Sequence, residues 1–381
     1  MRIALIVTHL LGSGHLVRAM TLADAFRAAG HEAFVFSGGM PLPRFRDRGD
    51  RLIQLPPLRS DGADFSRLLD ESGQIVAPEA LAQRQAVLLA KIAALRPDVL
   101  ITELFPFGRR NLADEFQAVL TQERSRENRA LVLASVRDIL APPSKPRKAV
   151  FAQDTLAAFY DGVLVHSDPA LMPLDLSWPV TPPVAGLLRY TGFVTAPPAA
   201  PHPERLGRDE ILVSAGGGNV GGSLYACARA AAALSPGLRW RLLVGGDAAG
   251  TLCADLNRDA PGNMHAEPAR PDFRQMLHHA RASVSLCGYN TALDILQTGC
   301  RAVFVPYDEG NEVEQTIRAT ALARQNGIAM VRAADLSPQA LLQALETAIA
   351  SPARPAQRDH MDGAARSVEI VEEMRRMADG R

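Results

Sequence analysis

A histidine set between a glycine-rich turn and a helical pattern is the residue of this chain best placed to do chemistry. After the apolar run Ile3-Ala4-Leu5-Ile6-Val7 comes Thr8-His9-Leu10-Leu11-Gly12-Ser13-Gly14-His15-Leu16, so Gly12, Ser13 and Gly14 deliver His15 to the mouth of a helix. In an open parallel sheet such loops lie at the carboxyl ends of the strands, where ligands bind. Imidazole titrates near neutrality, which suits it to take a proton from a hydroxyl group. A helix-capping or core hydrogen-bonding role is the alternative for the same position. The loop is neither a dinucleotide fingerprint, for which a third glycine is missing, nor a P-loop, since no G-x-x-x-x-G-K-[ST] occurs.

Two later segments have the chemistry of anion sites. Ile211-Leu212-Val213-Ser214-Ala215 runs into Gly216-Gly217-Gly218-Asn219-Val220-Gly221-Gly222 and then a helical pattern. Glycines let backbone N–H groups approach an anion closely, and a helix start adds partial positive charge, so a diphosphate is the expected ligand. A flexible strand-to-helix turn is the alternative. Residues 283–287 lead through Gly288-Tyr289-Asn290-Thr291 to Asp294, which falls one turn after Asn290 on the same helix face. Its carboxylate suits a ribose diol, or else is a first-turn acid favoured by the helix dipole. Pro306-Tyr307 continues through Asp308, Glu309, Gly310 and Asn311 to Glu314-Gln315, a polar loop expected at the same sheet edge. In the first half, the loops holding Glu103 and Phe105, and then Arg137 and Asp138, follow strands; they either shape a substrate pocket or are ordinary loop chemistry. His166-Ser167-Asp168 spells a triad by letters alone, because neighbours on an extended chain point to opposite sides. No D-x-D occurs and no metal site is expected.

The elements that must position these residues alternate. Strands are expected at residues 3–7, 32–36, 98–102, 131–136 and 162–166, with helical stretches between them. Leu16, Met20, Ala23 and Phe26 recur at helical steps before a glycine stop at Gly30. Residues 196–204 carry a run of prolines that can continue neither helix nor central strand. The rhythm then restarts, with strands at 211–214, 240–244, 283–287 and 302–306. The expected organisation is α/β: residues 1–195 as one Rossmann-like domain, 196–204 as linker, 205–358 as a second Rossmann-like domain facing the first across a cleft, and 359–381 as a helix packing back through Val368, Ile370, Val371 and Met374. The 41 Lys+Arg balance 41 Asp+Glu, so neither a nucleic-acid footprint nor a polybasic anchor is announced. Hydrophobic residues at 47% describe an ordinary globular chain, and no run approaches a transmembrane span. Cys227, Cys253, Cys287 and Cys300 show no C-x-x-C spacing, which points to a reducing compartment. The first apolar run stops at Thr8-His9 without a cleavage motif and reads as a buried strand.

With these motifs the chain resembles the GT-B glycosyltransferases, in the branch similar to MurG (glycosyltransferase family 28-like). Within it the chain looks like a bacterial group of predicted glycosyltransferases of unassigned substrate, through His9 to Leu16, Leu104 to Arg110, Ser135 to Asp138 and Leu164 to Pro169. The resemblance implies a GT-B fold and an inverting, metal-independent, cofactor-free transfer of a sugar from a nucleotide sugar, expected as UDP-sugar, to a hydroxyl acceptor. It implies His15 as the base and Gly217, Gly218 and Asn219 on the diphosphate. Gly288, Asn290 and Thr291 would join them, Asp294 would hold the ribose, and Pro268 and Ala269 would lie against the base. Glu314 and Gln315 stand where the family has two consecutive sugar-binding glutamines, with one extra loop residue. Gly12, Ser13, Gly14, Glu103, Phe105, Arg137 and Asp138 would face a small-molecule or lipid-linked acceptor. A cytoplasmic protein, in peripheral contact with the inner face of the plasma membrane if the acceptor is a lipid, is implied. Gly14-His15-x-x-Arg18 also resembles the nucleotide-sugar hydrolase of pseudaminic acid synthesis, and a non-catalytic nucleotide-sugar-binding protein is the third reading.

Overall fold

Ile3, Leu5 and Val7 turn to one side of the first strand and Ala4 and Ile6 to the other, and all five are buried. A strand apolar on both faces needs cover on both, which is the requirement of a parallel sheet inside helical layers. The computed structural model describes residues 1–61, 64–216, 218, 220–310 and 312–380. The chain divides into two units, residues 1–195 with 362–381, and residues 196–361.

The strands of the first unit are β1 (Arg2–Val7), β2 (Glu32–Gly39), β3 (Leu52–Asp61), β4 (Asp64–Leu69), β5 (Val99–Glu103), β6 (Leu131–Arg137), β7 (Gly162–His166) and β8 (Leu188–Tyr190). They lie in the order β4-β3-β2-β1-β5-β6-β7-β8, parallel except for the β3–β4 pair. Helix α1 (Gly14–Ala28) packs Leu16, Met20, Ala23 and Phe26 on one face, beside Val368, Ile370 and Val371 of the C-terminal helix. On the other face lie α2 (Pro78–Leu95), α3 (Ala113–Arg124) and α4 (Pro146–Phe159), through Leu88, Phe116 and Leu156 among others, followed by the short α5 (Pro182–Leu187). Arg84 of α2 is fully buried and grips Glu115 of α3 with two hydrogen bonds of 2.9 and 3.0 Å. It also donates to Thr8 Oγ1 at 3.2 Å, fixing the chain where it leaves β1. Gly38 has to be glycine there, because a Cβ would lie 2.3 Å from both the Arg84 guanidinium and Thr8 Oγ1.

In the second unit the strands β9 (Glu210–Ser214), β10 (Arg239–Val244), β11 (Met264–Pro268), β12 (Ala282–Ser285), β13 (Ala302–Phe304) and β14 (Ile328–Met330) are parallel throughout, in the order β11-β10-β9-β12-β13-β14. Helices α6 (Gly222–Leu234), α7 (Ala249–Asn257), α8 (Phe273–Met276), α9 (Tyr289–Thr298), α10 (Glu314–Leu322) and α11 (Pro338–Ala350) cover them. The chain then returns to the first unit as α12 (Gly363–Asp379). The proline-rich stretch is laid on the second unit: Ala199 O accepts from His278 at 2.8 Å and the His202 N–H donates to Gln275 O at 3.2 Å.

All nine strands expected from the sequence are present, with ends displaced by no more than three residues. Those not foreseen have local reasons. β3 contains Pro56 and Pro57, β11 reads Met-His-Ala-Glu-Pro, and β8 and β14 have three residues each. None carries the β-branched alternation that marks a strand.

In each sheet the strand order reverses once, between β1 and β5 and between β9 and β12. At such a switch point the loops diverge to opposite faces and leave a crevice outside the carboxyl ends.

Candidate active site

In the first unit that crevice brings together residues from the two strands flanking it. Gly12 turns the chain in the left-handed region (φ 64°), Ser13 precedes the helix, and His15 is the second residue of α1. Glu103 is the last residue of β5, and its Oε1 lies 2.8 Å from His15 Nδ1. With the Nδ1–H donating to the carboxylate, Nε2 keeps its lone pair. The histidine side chain is 16% exposed and the glutamate 4%. Burial strips water from the imidazolium and outweighs the pull of Glu103, so the His15 pKa falls to about 4 and the ring is a neutral proton acceptor at pH 7. For Glu103 burial works upward, but His15, Arg18 and Arg109 together hold its carboxyl well below the usual range. Arg18, one turn after His15, donates to the same Oε1. Arg109 donates to Thr8 O.

The expectation that Glu103 and Phe105 line a substrate pocket is corrected. Glu103 stands behind the histidine. Phe105 is fully buried in the core, stacked on Phe116 with ring centroids 4.5 Å apart. Asp138 is buried too, and the Arg137 Nε donates to Ile139 O at 3.1 Å. His166 forms no triad: its ring lies 2.8 Å from Ser135 Oγ and 2.9 Å from Thr191 Oγ1, while the Ser167 hydroxyl donates to Met172 O.

In the second unit, β9 and β12 are neighbours with Ser214 opposite Ser285, so α6 and α9 both start beside the switch point. Gly216 and Gly221 have φ of 80° and 97°, and a Cβ on Gly221 would lie 2.2 Å from that of Ala215. The Ala215 N–H donates to the Tyr225 hydroxyl, which donates to Leu243 O, pinning the turn to the next strand. Gly218 lies in this loop; Gly217 and Asn219, expected on the diphosphate, lie outside the described residues. Gly288 caps α9 in extended conformation, and the N–H groups of Asn290 and Thr291 belong to its uncapped first turn. Buried Arg318 donates to Cys287 O at 2.9 Å and adds a positive charge beneath that turn. The pair of helix starts is suited to a diphosphate.

At three of the expected positions, polar atoms are already engaged within the chain. Asp294 Oδ1 is engaged by Arg274 Nε at 2.6 Å, and Arg274 also donates to Gln297 Oε1 and Pro197 O, so a diol would share this carboxylate with an arginine. The Ala269 N–H is spent on Val244 O at 2.8 Å and Pro268 has none, so this segment offers a nucleobase carbonyl acceptors only. Gln315 Oε1 accepts from the Tyr307 N–H at 3.2 Å, and Glu312 accepts from the Glu314 N–H at 2.7 Å as a cap on α10, leaving the Gln315 amide NH2 as donor. Arg274, Arg318 and Glu312 stand in no sequence motif, and Arg109, inside the Leu104 to Arg110 segment, was given no role of its own.

The family model described as glycosyltransferase family 28 C-terminal domain matches residues 243–374. Over 283 residues the chain is 30% identical to the UDP-N-acetylglucosamine–N-acetylmuramyl-(pentapeptide) pyrophosphoryl-undecaprenol N-acetylglucosamine transferase of Burkholderia multivorans, covering 70% of this chain and 68% of that protein. The chain belongs to glycosyltransferase family 28. It is a MurG-like glycosyltransferase with the GT-B fold, and its catalysis is sugar transfer. The protein of the same description from Burkholderia vietnamiensis is 32% identical over 204 residues, and the chain spans about half of its length (52%). Among solved structures, MurG of Acinetobacter baumannii aligns with 100% of this chain and 99% of its own at a TM-score of 0.63 and 16% identity, a likeness of fold. The family 28 match includes Pro268, Ala269, Gly288 to Asp294, Glu314 and Gln315, whereas His15 and the loop at 216–221 lie outside it. Among the described residues no helix is long and apolar enough to cross a membrane.

Proposed function

We propose that this family 28 enzyme transfers a sugar from a UDP-sugar to a hydroxyl acceptor with inversion, using His15 as the base. The acceptor oxygen attacks the anomeric carbon and its proton passes to His15 Nε2. The bond from the anomeric carbon to the diphosphate breaks, and its electron pair leaves on the phosphate oxygen. The paired starts of α6 and α9 are the groups suited to hold that charge. The single observation carrying the reading is the His15–Glu103 contact at the switch point, which fixes the ring through Nδ1 and leaves Nε2 for the acceptor. The relatives are named for a UDP-N-acetylglucosamine donor and a pyrophosphoryl-undecaprenol acceptor. We carry the UDP moiety and a lipid-linked acceptor to this chain, with peripheral contact at a membrane surface, and leave the sugar to the screen below. No metal or cofactor has a part in the proposed step.

Thermal-shift screening against nucleotide sugars identifies the donor, since a ligand at a hundred times its Kd stabilises the native state by about 2.7 kcal/mol. His15→Ala is expected to keep the donor-induced shift and to lose roughly 10²–10⁴ in UDP release with acceptor present. Unchanged turnover in that variant refutes the base assignment. UDP release at full rate without acceptor refutes transfer in favour of hydrolysis. Binding with neither reaction, across a broad acceptor panel, makes the chain a nucleotide-sugar-binding protein.

A further inference from the structure

Glu103 is a carboxylate almost wholly removed from water, and its two oxygens are treated unequally. Oε2 is buried with no hydrogen-bond partner, so every compensating contact falls on Oε1. Two groups share Oε1: His15 through Nδ1, and Arg18 through a guanidinium nitrogen that is also 3.3 Å from that Nδ1. Arg18 is only 7% exposed and its own Nε has no partner, so its charge is directed at this one contact. His15 and Arg18 stand three residues apart on α1, so one helix turn presents both to the end of β5. The neutral Nδ1–H of His15 alone would not offset a buried carboxylate charge. Without a fixed cation the pair would draw in a proton: on His15 it removes the base, and on Glu103 it removes the charge that supports the imidazolium formed in the step.

We propose that Arg18 is the positioning residue of this pair: it carries the charge of Glu103 at Oε1, so that the carboxylate orients His15 without protonating it. This rests on the reading of His15 as base, and it assigns a role to a residue that touches neither donor nor acceptor. The other charged or titratable groups facing the pair are Arg109 from the loop after β5, His9 from the loop after β1, and His166 from β7. Arg109 donates to the Thr8 carbonyl and acts on Glu103 through its charge, whereas Arg18 hydrogen-bonds Oε1 itself.

The test is made on the full chain without ligand, so its result does not depend on whether transfer is the reaction. The imidazole 15N shifts of His15, assigned by their loss in His15→Gln, are followed against pH. In the wild type, Nδ1 is expected to carry the proton and Nε2 to remain bare down to well below pH 6.5. In Arg18→Met the pair is expected to take up its proton at least about one pH unit higher. Arg18→Lys, which keeps the charge and loses the fork, is expected to stay near the wild type. An unmoved titration in Arg18→Met refutes the proposal, as does an Arg18→Lys titration displaced as far as that of Arg18→Met. If Arg18→Met fails to fold, Arg18→Gln takes its place under the same criteria.

Discussion

His166 is fully buried with Ser135 Oγ and Thr191 Oγ1 against its two ring nitrogens, so a second ring proton would place an imidazolium charge out of reach of water. Burial, with Arg18 adding to it, lowers its pKa to about 3 against 6.5 in the unfolded chain. Between those values the unfolded chain binds a proton that the native one refuses. Stability therefore falls as pH drops from about 6.5 toward 3, on the order of a few kcal/mol. His15, depressed to about 4, adds to the loss in the same direction. Glu103 joins only below its unfolded value near 4.5, where its native ionisation is no longer matched. Urea midpoints measured from pH 7.5 to 4 should decline, and His166→Asn should flatten the curve; a parallel curve in that variant would contradict this account. At this scale the sequence showed which residue types follow the strands, but not which way each one faces. His15 was legible because a glycine turn and a helix start are local. The burial of Phe105 depends on Phe116 of α3, and the engagement of Asp294 depends on Arg274 twenty residues earlier, and both are products of packing.

The strand-turn-helix units are where local sequence and function coincide. Gly221 at φ 97° leaves no space for a Cβ against Ala215, so Gly221→Ala has to reshape the turn at the start of α6. The expected loss is about 1–3 kcal/mol of stability, together with most of the nucleotide-induced thermal shift. A variant that keeps the full shift would remove this loop from the donor site. Gly222→Ala, with nothing within 4 Å of the added Cβ and no left-handed φ, is the matched control for stability and should melt as the wild type does. Elements with strong apolar runs, such as β1, β6 and β9, were readable because both faces are buried by helices. The β3–β4 hairpin and the three-residue edge strands were not, since pairing to a neighbour already in place defines them more than their own residues do.

Across the whole molecule, the first unit is built from two separated stretches of chain. The polypeptide leaves it at Thr195 and returns at Asp362, and a bridge between Val194 and Asp362 sets exit and return side by side. Gly363 fits this crossing only as glycine, because a Cβ would lie 2.4 Å from Gly192 O. Helix α12 then buries Val368, Ile370 and Val371 against α1 and the sheet. At about 1.5–3 kcal/mol per buried side chain this helix accounts for a large part of a typical domain's stability. A chain ending at Met361 should unfold in two steps, the first unit melting early and the second retaining cooperative protection from hydrogen exchange. A single transition at the wild-type temperature would show that α12 is dispensable.

The same discontinuity bears on synthesis. The apolar face of the first sheet and α1 leaves the ribosome early, but the helix that seals it is made only after the entire second unit. At roughly 5–20 residues per second that interval is on the order of ten to thirty seconds. For that time the nascent first unit exposes an incomplete core, so chaperone demand and sensitivity to premature termination extend to the codons for α12, far in sequence from the histidine whose scaffold that helix completes.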